Sequence, residues 1–210
     1  MSAPAYDRVL AERSTLESLL EERRRNGLDK RDEVWEGVLY LVPPAHDEHG
    51  SIMADLIVFL GPIAARLGGR LLIEPGLRNP GSGEWNFRVP DLVYVSAEDE
   101  RLRGTGWVEG GPSVVFEIRS PRDDTYKKFP FYAGLGVREL VVVDRQTLRV
   151  EVFKLAGEGF VAAAQDANGR VPLAALGVRF VTRLAAKSMS LFGLDDTSPD
   201  RETEIHRLSR

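Results

Sequence analysis

Residues 114–124 read VVFEIRSPRDD. Val114, Val115, Phe116 and Ile118 are apolar, Glu117 and Arg119 are charged, and Ser120-Pro121 breaks the run. In a strand, alternation puts Val115, Glu117 and Arg119 on one face, with successive members about 6.5–7 Å apart. A glutamate embedded among such residues is costly unless it is paired, protonated or bound to a metal. Ser120-Pro121 followed by Asp123 has the form of a helix start: a cap, a proline in the first turn and an acid at the third position. The pattern predicts a helix from there to about residue 135. ELVVVD at 139–144 is then an apolar strand. Strand, crossover helix and apolar strand make a βαβ unit whose two strands run parallel and buried.

The flanking segments extend this unit. LRVEVFKL (148–155) alternates cleanly and predicts an antiparallel partner, with GFVAAA (159–164) as a further edge. Upstream, VPDLVYVS (89–96) and RLLIE (70–74) read as strands. The Gly-, Pro- and Asn-rich stretch 75–87 between them reads as a loop or hairpin tip. Ile52, Leu56, Phe59, Leu60, Ile63, Ala64 and Leu67 form a helical stripe across 46–67. EVWEGVLYLV (33–42) predicts a strand or a tight hairpin centred on Glu36-Gly37. Residues 5–25 predict a helix ending in Arg23, Arg24 and Arg25, which suit the negative pole of its dipole. Short apolar pieces across 171–193 are expected to cap the core, and 195–210 to be a mobile tail. The expected division is a helical arm at 1–28, an α/β (α+β) domain at 29–194 with a mixed central sheet flanked by helices, and the tail.

Composition narrows the classes. The 210 residues contain no cysteine, which excludes disulfide frameworks and thiolate zinc sites. No apolar run is read as long enough to span a bilayer, and the N-terminus lacks the pattern of a signal peptide. The expectation is therefore a cytoplasmic protein with no membrane partner. A net charge of -4 argues against coating nucleic acid through bulk charge, but not against a local basic cleft.

Asp91 begins one strand and Glu117 lies in the next strong one. If the strands pair, both acids point into one cleft. Two carboxylates with carbonyls and water form a hard oxygen site suited to Mg²⁺ or Mn²⁺. A bound cation of that kind lowers the pKa of water, and a nearby Lys or Arg can neutralise charge developing on phosphorus. The plainer alternative is an ion pair between Glu117 and Arg119. His46 and His49 stand three apart near a helix start, but no further zinc ligands occur at a recognisable spacing. Between 117 and 138, five bases (Arg119, Arg122, Lys127, Lys128, Arg138) against three acids (Glu117, Asp123, Asp124) give a local +2. That excess fits a phosphate-facing cleft or a solvated helix face equally.

Pro90-Asp91 followed by Glu117-Ile118-Arg119 resembles the PD-(D/E)XK nuclease signature. EVWEGVLYLVPP, EHG at 48–50, VPDLVYVS, VVFEIRSP and KFPFYAGLGVRELVVVD with VEVFKL, in that order, resemble the Uma-type branch of restriction-endonuclease-like proteins. The resemblance covers roughly residues 30–185. It implies a restriction-endonuclease-like fold, a divalent-metal-dependent endonuclease acting on DNA, Mg²⁺ or Mn²⁺ as cofactor, and a homodimer. It implies Asp91 and Glu117 as metal ligands and Lys128, four residues before Tyr132, as the basic catalytic residue, with Lys127 as its neighbour. Arg119 stands where the superfamily has Lys; it can replace that Lys, contact a phosphate, or pair with Glu117. His49 matches a family histidine near the cleft; with Arg119 and Lys127 it is a candidate substrate contact, and helix capping or core packing is its plainer role. Glu33 and Glu36 match acids of the first strand region, and Glu36 and Glu74 are candidate additional acids. Pro130, two residues after Lys128, either disturbs the helix there or starts a second short one. The rival expectation is a non-catalytic nucleic-acid-binding or assembly module on the same fold.

Overall fold

A computed structural model describes residues 13–43, 46–81, 85–104, 106–121 and 123–209. Helix α1 (Arg13–Arg25) matches the described part of the first predicted helix; residues 5–12 of that expectation lie outside the described residues. Strands β1 (Glu33–Trp35) and β2 (Val38–Tyr40) form the expected hairpin. Glu36 and Gly37 both have positive φ, +47° and +85°, as a two-residue turn of this hand requires. Helix α2 (Asp47–Arg66) buries Ile52, Leu56, Leu60 and Ile63 as its apolar spacing demands. By length and composition α2 is long and apolar enough to cross a bilayer, contrary to the sequence reading. Here its apolar stripe is part of the protein core.

Strand β3 (Arg70–Ile73) follows. The predicted loop 75–87 contains β4 (Gly76–Arg78) and leads into β5 (Phe87–Arg88), so it is a hairpin with strands of its own. Then come β6 (Leu92–Val95), β7 (Trp107–Glu109) and β8 (Val114–Arg119). After a 3₁₀ turn (Thr125–Lys128), α3 (Phe129–Leu135) leads to β9 (Glu139–Asp144), β10 (Val150–Ala156) and β11 (Gly159–Ala162). The predicted continuous helix from Ser120 is therefore absent. Pro130 stands in the first turn of α3, where its missing N–H costs no helical bond, and the chain makes a separate 3₁₀ turn before it.

The central sheet runs β11-β10-β9-β8-β6-β3. The pair β8–β9 is parallel and the other neighbours are antiparallel, so the sheet is mixed, as expected. Alternation on β8 sorts its side chains. Val114, Phe116 and Ile118 pack with the α2 stripe; Val115 packs with Tyr132 and Leu135 of α3 on the opposite face. Glu117 shares the α3 face.

The C-terminal expectation needs correction. The apolar pieces of 171–193 do cover the core, but as strands, and 203–209 is a strand and not a mobile tail. They form a four-stranded antiparallel sheet of β12 (Val171–Leu173), β13 (Val178–Ala185), β14 (Ser188–Asp195) and β15 (Thr203–Ser209). Strand β15 is tied to α2 by His206, whose Nδ1 lies 2.7 Å from Asp55 Oδ2 and whose Nε2 lies 2.6 Å from Glu48 Oε1. Phe180, Leu191 and Ile205 complete the core over α2. Each such buried side chain contributes about 1.5–3 kcal/mol.

Candidate active site

The ladder itself brings the acids together. Leu92 pairs with Phe116, so Asp91, one residue earlier, lies opposite Glu117, one residue later. At the start of β6 the Ile118 backbone N–H donates to the Asp91 side chain instead of to a ladder carbonyl: Asp91 Oδ2 accepts it at 2.6 Å. On the other side Ile73 pairs with Leu92, and the Glu74 N–H donates to the Asp91 carbonyl at 3.0 Å. Glu74, Asp91 and Glu117 thus occupy one row across three strands.

Asp91 is buried. Its Oδ1 also lies 2.8 Å from His49 Nε2 and 3.0 Å from Arg31 Nη2. Burial pushes its pKa up, but His49, the Ile118 N–H and the Lys128 charge outweigh that and hold it below the ordinary aspartate value.

Glu117 is gripped from α3. Lys128 Nζ donates to its Oε1 at 3.1 Å, and the Tyr132 hydroxyl, one helical turn on, donates to the same oxygen at 2.5 Å. The restart of the helix at Pro130 places Lys128 at the N-cap position of α3, with its ammonium back over the strand. The same ammonium donates to Glu33 Oε1 at 2.9 Å. Glu33 is held in turn by the Val89 N–H at 2.8 Å and the Trp35 indole N–H at 2.7 Å. Burial, helped by the charges of Asp91 and Glu33 and opposed by Lys128, pushes Glu117 up to about 8. Burial would lower Lys128, but the charges of Glu117 and Glu33 and the bond to Glu33 raise it above the ordinary lysine value. Lys128 is therefore a cation at neutral pH, and burial favours the protonated form of Glu117.

The sequence candidates separate cleanly. Asp91, Glu117, Lys128 and His49 come together. Arg119 does not join them: it pairs with Asp144, its cross-strand neighbour on β9, at 3.0 Å and leans on the Tyr126 ring. Direct cross-strand position wins over a neighbour two residues away on the same strand. Lys127 is exposed and pairs with Asp124 at 2.9 Å. Arg138 pairs with Asp99 at 2.6 Å, so the local basic excess does not face the cleft. Glu36 sits on the hairpin tip, 71% exposed, against Arg88; the acid that enters the site is Glu33, because β1 turns Glu33 and Trp35 inward. Glu74 reaches the site through Arg31, whose Nε lies 2.9 Å from its Oε1. His46 caps α2 by accepting the Glu48 N–H, so the two histidines do not act together. Arg31 was not foreseen; one arginine in DKRDE carries no periodicity that marks it.

The mixed sheet with its few flanking helices is a restriction-endonuclease-like fold. The chain belongs to the Uma2 family, described as "Putative restriction endonuclease", whose model matches residues 16–184. Among solved structures it is similar to "a putative nuclease belonging to DUF820" from Anabaena variabilis ATCC 29413, at 17% identity and a TM-score of 0.55, over 69% of this chain and 82% of that one. No curated protein matches it in sequence.

The hydrogen bonds on Asp91 and Glu117 leave an open lone pair on Asp91 Oδ2 and on Glu117 Oε2. Among the described residues no group of three or more His, Asp or Glu side chains is arranged around a common point. Two carboxylate oxygens with the rest supplied by water and substrate is how Mg²⁺ is commonly held. The residues fit a largely hydrated hard cation and not a closed protein cage.

Proposed function

We propose that this chain is a Mg²⁺- or Mn²⁺-dependent endonuclease that hydrolyses phosphodiester bonds in DNA. The observation that carries the reading is the placement of Lys128 Nζ 3.1 Å from Glu117, with Asp91 in the facing ladder position. Asp91 and Glu117 would hold the cation, which when bound supplies a more acidic water and a counter-charge for phosphate oxygens. Lys128, kept protonated by Glu33 and Glu117, is a donor and not a proton acceptor. Its role is to orient the attacking water and to offset negative charge as that oxygen, giving its proton up to solvent, bonds to phosphorus and the ester oxygen departs with a proton from solvent. Glu33 and Tyr132 position Lys128 and Glu117.

The test is incubation with duplex, single-stranded and branched DNA in Mg²⁺, Mn²⁺ or EDTA. Metal-dependent cleavage that is lost in Asp91→Ala and Glu117→Ala supports the reading. Absence of cleavage, or cleavage that survives both substitutions, overturns it. The small ligand set favours one rival, a non-catalytic nucleic-acid-binding module. Calorimetric titration with Mn²⁺ separates the two: the module shows no Glu117-dependent binding.

A further inference from the structure

We propose, resting on the nuclease reading of the same site, that Arg31 is the residue that contacts the substrate phosphate. Arg31 ends the 3₁₀ turn Asp29–Arg31, which joins α1 to β1. The turn is anchored on its far side, where Arg23 donates to Asp32 and to the carbonyls of Leu28 and Val42. The Arg31 guanidinium spans two acids of the site row: Nε lies 2.9 Å from Glu74 Oε1 and Nη2 lies 3.0 Å from Asp91 Oδ1. Those bonds occupy one edge of the planar fork. Nη1 carries no hydrogen bond to a described residue, and the side chain is 21% exposed.

A guanidinium fixed on one edge by two carboxylates is preorganised to donate from the other. Lys128 is a second cation of the site, but its ammonium is held between Glu33 and Glu117 and is only 12% exposed. Arg119, Lys127 and Arg138 are each committed to a carboxylate elsewhere. Arg31 is thus the more exposed positive group of the two at this site, and its Nη1 is a free donor. Glu74 acts as its positioning residue, held in a left-handed conformation at φ +46° that L side chains rarely adopt.

The experiment is fluorescence anisotropy of a labelled duplex in Ca²⁺ and in EDTA, over a salt series, for wild type, Arg31→Gln, Arg31→Lys and Arg119→Gln. Arg31→Gln is expected to weaken binding about tenfold, the loss of one charge-assisted contact. The slope of log affinity against log salt should fall by about 0.9, one phosphate contact. Arg31→Lys keeps the salt slope and loses affinity, because an ammonium cannot reach Glu74, Asp91 and a phosphate together. Arg119→Gln changes neither. Mn²⁺ binding provides a second readout: removing the guanidinium beside Asp91 should tighten it severalfold, which a merely structural role would not do. Wild-type binding and slope in Arg31→Gln overturn the proposal while leaving the nuclease reading intact. A wild type that neither binds nor cleaves DNA overturns both.

Discussion

Replacing Glu117 by Gln isolates a strongly perturbed buried carboxyl. Burial, with the charges of Asp91 and Glu33 and against Lys128 and the Tyr132 hydroxyl, moves the Glu117 carboxyl from 4.5 to about 8. One pKa step corresponds to 1.36 kcal/mol, so the free energy in play is about 5 kcal/mol at full ionisation. The sign follows from proton counting. Below pH 4.5 folded and unfolded chains both hold the proton. Between 4.5 and 8 the folded chain keeps it while the unfolded chain releases it, so stability falls as pH rises. Above 8 the loss is complete. Glutamine cannot titrate, so the variant lacks this slope. In EDTA, the melting temperature of Glu117→Gln relative to wild type should therefore climb between pH 5 and pH 9. A swing of about 4 kcal/mol corresponds to roughly 8–16 °C for a chain of this size. Differential scanning fluorimetry at matched ionic strength reads it directly. Parallel curves for the two proteins across that range would show that Glu117 ionises normally and that the buried charge count is wrong.

The same proton gives a binding prediction. Mn²⁺ affinity should rise from pH 6 to pH 8, with release of close to one proton per ion, measured by calorimetry in buffers of different ionisation enthalpy. Gly111→Ala should destabilise strongly, by about 3 kcal/mol or more, because its Cβ would lie 2.2 Å from the Gly136 carbonyl carbon. Gly134→Ala, with nothing within 4 Å, should instead stabilise α3 by about 0.5–1 kcal/mol; urea unfolding compares the two. Truncation after Asp200 removes β15 and should lower the melting temperature by more than 10 °C, roughly the effect of losing several buried contacts. An unchanged melting temperature would restore the mobile-tail expectation.

What the sequence made legible follows burial. Strands β8 and β9 are apolar because both faces are covered, and that pattern survives without any partner in view. The C-terminal sheet is different. In β15 only Ile205 and His206 are buried, and a register shift at Leu191/Phe192 interrupts its pairing with β14. The strand is held by His206 meeting Glu48 and Asp55, about 150 residues away in sequence. No local window contains that information. Arg119 failed for a related reason: two residues of spacing suggested Glu117, while its partner was set by the β8–β9 register. Glu33 and Glu36 were separable only by the turn. The positive φ at Glu36 throws it outward and leaves Glu33 on the inward alternation with Trp35.

The site follows from one constraint on charge. Glu33, Asp91 and Glu117 are all buried, and Lys128 is the one ammonium within reach of two of them. Three ionised carboxylates there would leave uncompensated negative charge in a low-dielectric space, which proteins relieve by protonation or by a cation. Arg31 relieves Asp91 from the rim, and a proton relieves Glu117. Both are exchangeable in a way that Lys128, locked between two glutamates, is not. The two functional proposals therefore share one physical origin. The proton on Glu117 occupies charge that a divalent ion can replace, and the guanidinium on Asp91 carries charge that a phosphate can share. A variant that satisfies the same space with neutral groups, Glu33→Gln with Lys128→Met, should keep the fold while abolishing the positioning of water. That separation of stability from activity is expected where a buried ion network serves function more than folding.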